Sequence, residues 1–151
     1  GGAVRDPEGN VTLRNCILWG NTRLQAVGPP LADQIYSPGY DARVADSDVE
    51  GGWPGAGNIN ADPQFANAVA GNYALRSTSP CMDAGNTCDL PPDYADLNWD
   101  ANAVEQIPMD LSLLPRVRFG NVDMGAYEIL ENFENLQLPP NPPNPPPIAN
   151  E

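Results

Sequence analysis

Proline and glycine punctuate this chain so densely that long helices have little room to form. Eighteen Pro and fourteen Gly are spread along 151 residues. A proline inside a helix removes a backbone donor and collides with the preceding turn, and a glycine there gives up more conformational freedom than any other residue. What fits between such residues is a series of short β-rich runs. The best of them is Val11-Thr12-Leu13-Arg14-Asn15-Cys16-Ile17-Leu18-Trp19. It alternates at first, then turns continuously apolar, and stops at Gly20-Asn21. Asp33-Gln34-Ile35-Tyr36 is a second run, and residues 42–49 form a third that ends at Gly51-Gly52. Tyr73-Ala74-Leu75 and residues 122–129 are later candidates.

The first and third runs overlay with an offset of 31 residues. Leu13 then falls on Val44, Asn15 on Asp46, Cys16 on Ser47, Leu18 on Val49 and Gly20 on Gly51. A period in this range is the mark of a repeated supersecondary unit. Asn15 and Asp46, at equivalent places, suit a corner where polar side chains serve backbone groups that the turn leaves unpaired. From Gly51 to Pro115 the chain is loop-rich, a length that points to a capping or functional segment. Residues 132–151 are a separate Pro-rich tail. Its stretch Leu138-Pro139-Pro140-Asn141-Pro142-Pro143-Asn144-Pro145-Pro146-Pro147 predicts extended polyproline II, at about 3.1 Å per residue.

Charge and missing residue types narrow the chemistry. The chain has seven Arg, no Lys, no His and twenty acidic residues, for a net charge of −13. Such a surface repels phosphates, so nucleic acid and anionic membranes are not expected partners. Without His there is no imidazole base, no Ser-His-Asp triad and no His-ligated zinc or haem. Without Lys there is no Schiff base and no phosphate-binding P-loop lysine, so no nucleotide site of that kind is expected. No stretch approaches eighteen continuous apolar residues, and membrane insertion is not expected. The chain opens Gly1-Gly2 rather than Met, as a processed product or a piece of a longer chain would.

Three cysteines occur, at positions 16, 81 and 88. Cys81 and Cys88 flank the turn-rich Asp83-Ala84-Gly85-Asn86, and a local disulfide is expected there, in keeping with an oxidising compartment. Cys16 sits in an apolar run and reads as a small core residue. The stretch most suggestive of a ligand is Asp96-Leu97-Asn98-Trp99-Asp100-Ala101-Asn102-Ala103-Val104-Glu105. Asp96, Asn98, Asp100 and Asn102 alternate and Glu105 follows, an oxygen-rich pattern that suits a hard cation such as calcium. It is not an EF-hand, because Ala101 stands where that loop needs Gly and Ile107 where it needs Glu. A solvated acidic loop is the plainer reading.

Several motifs recur in an order that resembles a known group of proteins. Asn15-Cys16-Ile17-Leu18-Trp19-Gly20-Asn21 comes first, then Ser47-Asp48-Val49-Glu50-Gly51-Gly52-Trp53-Pro54-Gly55, then Gly57-Asn58-Ile59-Asn60-Ala61-Asp62-Pro63-Gln64-Phe65. Gly71-Asn72-Tyr73-Ala74-Leu75-Arg76, Ser79-Pro80-Cys81-Met82-Asp83-Ala84-Gly85 and Val122-Asp123-Met124-Gly125-Ala126-Tyr127-Glu128 follow. The set resembles the C-terminal region of bacterial surface proteins of the choice-of-anchor Q and polymorphic-outer-membrane-protein-like type. That resemblance implies an all-β fold: the last two or three rungs of a short right-handed parallel β-helix and a loop-rich C-terminal cap, together over residues 1–131, followed by the extended polyproline tail at 132–151. It also implies a secreted or cell-surface protein without demonstrated chemistry.

Three functions fit these readings. The first is a non-enzymatic extracellular structural protein that self-associates, as a homo-oligomer, fibre or surface-layer building block, through its β-helix ends and Pro-rich tail. The second is an adhesin module that binds carbohydrate or a host surface, with Trp53 and Trp99 as stacking platforms. The third is a carboxylate-dependent polysaccharide lyase or hydrolase, for which Asp46, Asp48, Glu50 and Arg43 would be the candidates. The preferred reading assigns no catalytic residue.

Overall fold

The computed structural model describes residues 3–6, 10–23, 31–37, 42–118 and 120–129. The Pro-rich segment lies outside them. Ten short strands appear in the order β1 (Val4–Arg5), β2 (Thr12–Arg14), β3 (Ile17–Leu18), β4 (Thr22–Arg23), β5 (Leu31–Ala32), β6 (Ile35–Tyr36), β7 (Arg43–Ala45), β8 (Asp48–Val49), β9 (Phe65–Asn67) and β10 (Asn72–Leu75). Two 3₁₀ turns, Ala68–Ala70 and Thr87–Asp89, are the only helical pieces among the described residues. No described helix is long and apolar enough to cross a membrane.

Backbone corners explain why the strands are so short. Asn15 and Asp46 both take left-handed φ values, 52° and 50°. Asn15 divides the first apolar run into β2 and β3, and Asp46 divides residues 42–49 into β7 and β8. Asn and Asp tolerate this conformation better than other side chains because they bond locally to the backbone. Between corners the chain pairs in parallel at an offset of 31, with Leu13 against Val44, Arg14 against Ala45, Ile17 against Asp48 and Leu18 against Val49. Val4 pairs with Ile35 in the same sense.

The expected β-helix is not what the described residues form. They make five separate two-stranded sheets, three parallel (β1–β6, β2–β7, β3–β8) and two antiparallel (β4–β5, β9–β10). No closed or continuous solenoid sheet runs through them. The physical reason is the Gly- and Pro-punctuated sequence after Val49. There the chain yields lone bridges, Asp48–Ile59, Pro92–Gln106, Met109–Pro115 and Arg118–Asn121, instead of a third set of strands. Residues 122–129, expected as a strand, are irregular. Several of their amides are bonded by carboxylates or by distant carbonyls: Asp123 N by Glu128, Ile129 N by Asp123 and Met124 N by the Cys81 carbonyl.

Two apolar clusters hold these pieces together. One buries Leu18, Ile35, Ala42, Val44 and Val49, with Val4, Leu13, Cys16 and Trp53 packed at its margin. The other buries Leu75, Cys81, Met124 and Ile129, flanked by Ile17, Ile59 and Phe65. Each fully buried side chain of this size contributes roughly 1.5–3 kcal/mol. Two glycines permit the close approaches between segments. A Cβ at Gly55 would strike the Val44 carbonyl, and one at Gly85 would lie 2.8 Å from the Val122 carbonyl oxygen, which accepts the Gly85 N–H.

Candidate functional site

The oxygen-rich loop is a closed excursion. Its neck is tied by the Asp93 N–H to the Glu105 carbonyl (2.7 Å) and by the Ile107 N–H to the Pro91 carbonyl (2.9 Å). Asp96, Trp99 and Ala101 adopt left-handed φ values, so the backbone turns sharply three times in six residues. The side chains make those turns possible. Asp96 Oδ1 accepts from the amides of Asp100 and Ala101, Asn98 Oδ1 accepts from Asp100, and Asp100 Oδ1 accepts from Asn102. Glu105 receives Asn98 Nδ2 at 2.9 Å and Asn102 Nδ2 at 3.3 Å.

The five residues read from the sequence as calcium ligands are thus brought together, but as acceptors and donors for one another and for the loop's own backbone. Asn98 and Asn102 point amide nitrogens, not oxygens, at Glu105. Among the described residues no group of three or more acidic, Cys or His side chains converges as a metal cage would. In this arrangement their oxygens are engaged by N–H donors of the loop itself, and no step is assigned to a cation.

A second charged constellation was not legible as such. Arg116 and Glu128 form an ion pair at 2.9 Å with side chains only 9% and 2% exposed. Arg116 Nη2 also donates to the Gly125 carbonyl at 2.7 Å. Glu128 accepts from the Asp123 amide, Asp123 from the amides of Asp83 and Ile129, and Asp110 from those of Ser112, Leu114 and Glu128. Burial, reinforced by the Asp123 charge, pushes the Glu128 carboxyl up to about 8 against the opposing pull of Arg116. Burial also raises Asp123. These four side chains tie residues 83, 110–116 and 123–129 into one unit. The sequence offered one signal: two acids inside the apolar run 122–129, which burial would oblige to find partners.

The carboxylates considered for polysaccharide chemistry do not form a pair in a groove. The corner at Asp46 ends the alternation that would put Asp46 and Asp48 on one strand face. Asp48 is fully buried and accepts from the Ala61 amide and the Cys81 thiol. Glu50 accepts from the Gly20 amide and Gln34 Nε2, while Arg43 is exposed on β7. The expected Cys81–Cys88 disulfide is not formed. All three cysteines are free, Cys81 buried, Cys88 exposed and Cys16 between the two. Burial and the neighbouring Asp48 push the Cys81 thiol up to about 12.

One concave feature among the described residues is an aromatic cleft of about 440 Å³. Trp19, Phe65, Tyr73 and Tyr127 line it over a floor that includes Leu75 and Met124, and no lining side chain is charged. Phe65 and Tyr73 meet edge to face with ring centres 5.3 Å apart. The two tryptophans expected as sugar platforms lie elsewhere. Trp53 packs on the first apolar cluster and donates its indole N–H to the Ala42 carbonyl, and Trp99 stands 88% exposed on the acidic loop. Comparison with known protein families, curated proteins and solved structures finds no match.

Proposed function

We propose that this chain is a non-enzymatic structural module of the cell exterior that associates with copies of itself by adding strands at an open edge. The observation that carries the reading is the free side of β1, β2 and β3. Each has a single partner among the described residues, namely β6, β7 and β8. The carbonyls of Val11, Cys16 and Leu18 face those partners and accept from Arg43, Asp48 and Glu50. By the alternation of a parallel strand, Thr12 and Ile17 turn their backbone groups the other way. An unpaired parallel edge is a template for another strand.

Two further features support a second copy as the occupant. Val4 and Leu13 are half-buried, whereas Ile35 and Val44, paired with them in the adjacent layer, are buried. The apolar core is therefore less well covered on the open side. Charge is also asymmetric. Residues 1–23 carry three Arg against Asp6 and Glu8, and the remaining residues carry four Arg against eighteen acids. Arg14 and Arg23 already pair with Asp89 at 3.7 Å and Asp33 at 3.0 Å, which leaves Arg5 as the cation this edge offers to the acidic body of a second copy in a head-to-tail contact. Such contacts build open assemblies when the rotation does not close.

Sedimentation velocity over a range of protein and salt concentrations tests this. Association that strengthens with protein concentration and weakens with salt is expected. Thr12→Pro, which removes an outward N–H while leaving the β7 side untouched, is expected to abolish it without changing the far-UV circular dichroism. A chain that stays monomeric at all concentrations defeats the proposal.

A further inference from the structure

The aromatic cleft and the Pro-rich segment have matching chemistry, and we infer that residues 138–147 of this same chain dock in the cleft lined by Trp19, Phe65, Tyr73 and Tyr127. The inference stands apart from the self-association proposal, because it concerns a contact within one chain. The segment reads Leu-Pro-Pro-Asn-Pro-Pro-Asn-Pro-Pro-Pro. Polyproline II has three residues per turn, so positions three apart share a face. In that conformation Pro139, Pro142 and Pro145 would share one face, Pro140, Pro143 and Pro146 a second, and Leu138, Asn141, Asn144 and Pro147 the third. Such a segment would offer two adjoining prolyl ridges to pack, with the two Asn amides on the remaining face.

Aromatic-lined grooves take such segments because prolyl rings lie flat on aromatic faces and the helix is already stiff, so little freedom is lost on docking. Charge points the same way. In a chain of net charge −13, no charged side chain lines the cleft and none occurs in residues 138–147. Two uncharged, apolar-rich surfaces meet without desolvating an ion. Connection completes the case. Tyr127 lines the cleft, and Ile129 is buried in the cluster that shares Leu75, Met124, Ile17 and Phe65 with it. Leu138 follows Ile129 by nine residues, a reach of up to about 30 Å when extended. A tether this short gives an effective concentration in roughly the millimolar range, enough for a weak groove contact to be occupied.

The test uses the full chain labelled with 5-fluorotryptophan, whose three ¹⁹F resonances separate Trp19 from Trp53 and Trp99. Replacing Pro142, Pro143, Pro145 and Pro146 together with Gly keeps the length and removes the ridges. The expected result is a shift of the Trp19 resonance toward its solvent-exposed value, with Trp53 and Trp99 unchanged and the far-UV spectrum of the folded part retained. Tyr73→Ala, made in the cleft wall, is expected to shift the Trp19 resonance in the same direction. A synthetic peptide of residues 136–149 added to the Gly-substituted chain is expected to restore the original Trp19 position. An unmoved Trp19 resonance on tail replacement overturns the inference. So does a difference in Trp19 position between the native and Gly-substituted chains that vanishes once both are diluted below any self-association, since the segment would then come from another copy.

Discussion

Cys81 Sγ lies 3.3 Å from Asp48 Oδ2, and both residues have no exposed surface. The thiol is the donor, because burial and the Asp48 charge push its pKa up to about 12 and keep it protonated. The contact joins β8 to the segment that precedes Asp83, across 33 residues of chain.

This pair predicts the order of thiol reactivity. Cys88 is exposed, Cys16 is half-buried with a raised pKa, and Cys81 is buried with a strongly raised one. Alkylation of the native protein with iodoacetamide, followed by peptide mass spectrometry, is expected to modify Cys88 first. Cys16 should follow slowly, and Cys81 should react only on unfolding, because the thiolate is the reactive form. A Cys81–Cys88 disulfide in the unreduced digest would contradict this arrangement. Asp48→Ala, which strands the Ala61 amide and the Cys81 thiol, is expected to lower stability by about 1–3 kcal/mol in denaturant titration.

Glu128 gives the fold a pH dependence of definite sign. Its folded pKa is raised from 4.5 to about 8, so the folded state holds a proton that the unfolded state releases. The stabilisation tied to that proton is complete below 4.5 and is lost as pH rises through about 8. Asp123 and Asp48 are raised as well and act in the same direction. The melting temperature is therefore expected to fall between pH 5 and pH 8, and Glu128→Gln is expected to flatten the profile. Arg116→Ala removes the partner of the buried Glu128 carboxyl and the cation beside Asp123, and is expected to lower stability by about 1–3 kcal/mol.

Some of this architecture was legible from the residues. The 31-residue overlay places Leu13 on Val44 and Leu18 on Val49, and those are the observed strand partners. Parallel pairing repeats one side-chain pattern at a fixed spacing, so the sequence records it. Asn15 was likewise legible as a corner: its Oδ1 accepts from the Asn86 amide at 2.7 Å and its Nδ2 donates to the Asn86 carbonyl at 3.0 Å. The extension of that pairing into a solenoid was not warranted, because two matching layers do not specify a third. The Asp110–Arg116–Asp123–Glu128 cluster was hidden for a different reason. Its members come from irregular segments, where no periodicity separates a buried charge from a surface one. The oxygen pattern at residues 96–105 was visible, but a spacing that suits cation ligands also suits side chains that bond to their own turns.

That last ambiguity yields a prediction for the acidic loop. Its oxygens already accept N–H bonds, with Asp96 holding the amides of Asp100 and Ala101 and Glu105 holding both Asn amides. A cation would have to displace those donors and reorient Asn98 and Asn102. Chelation with EDTA is accordingly expected to leave the melting temperature unchanged, and added calcium is expected to produce no saturable heat in titration calorimetry. Asp96→Ala is expected to act without any metal, by removing the acceptor for two amides at left-handed turns, which shows as faster hydrogen exchange at Asp100 and Ala101. The neck bonds at Asp93 and Ile107 should keep their protection, since neither involves Asp96. A chelator-sensitive melting temperature, abolished by Asp96→Ala, would show instead that these five side chains turn inward around an ion.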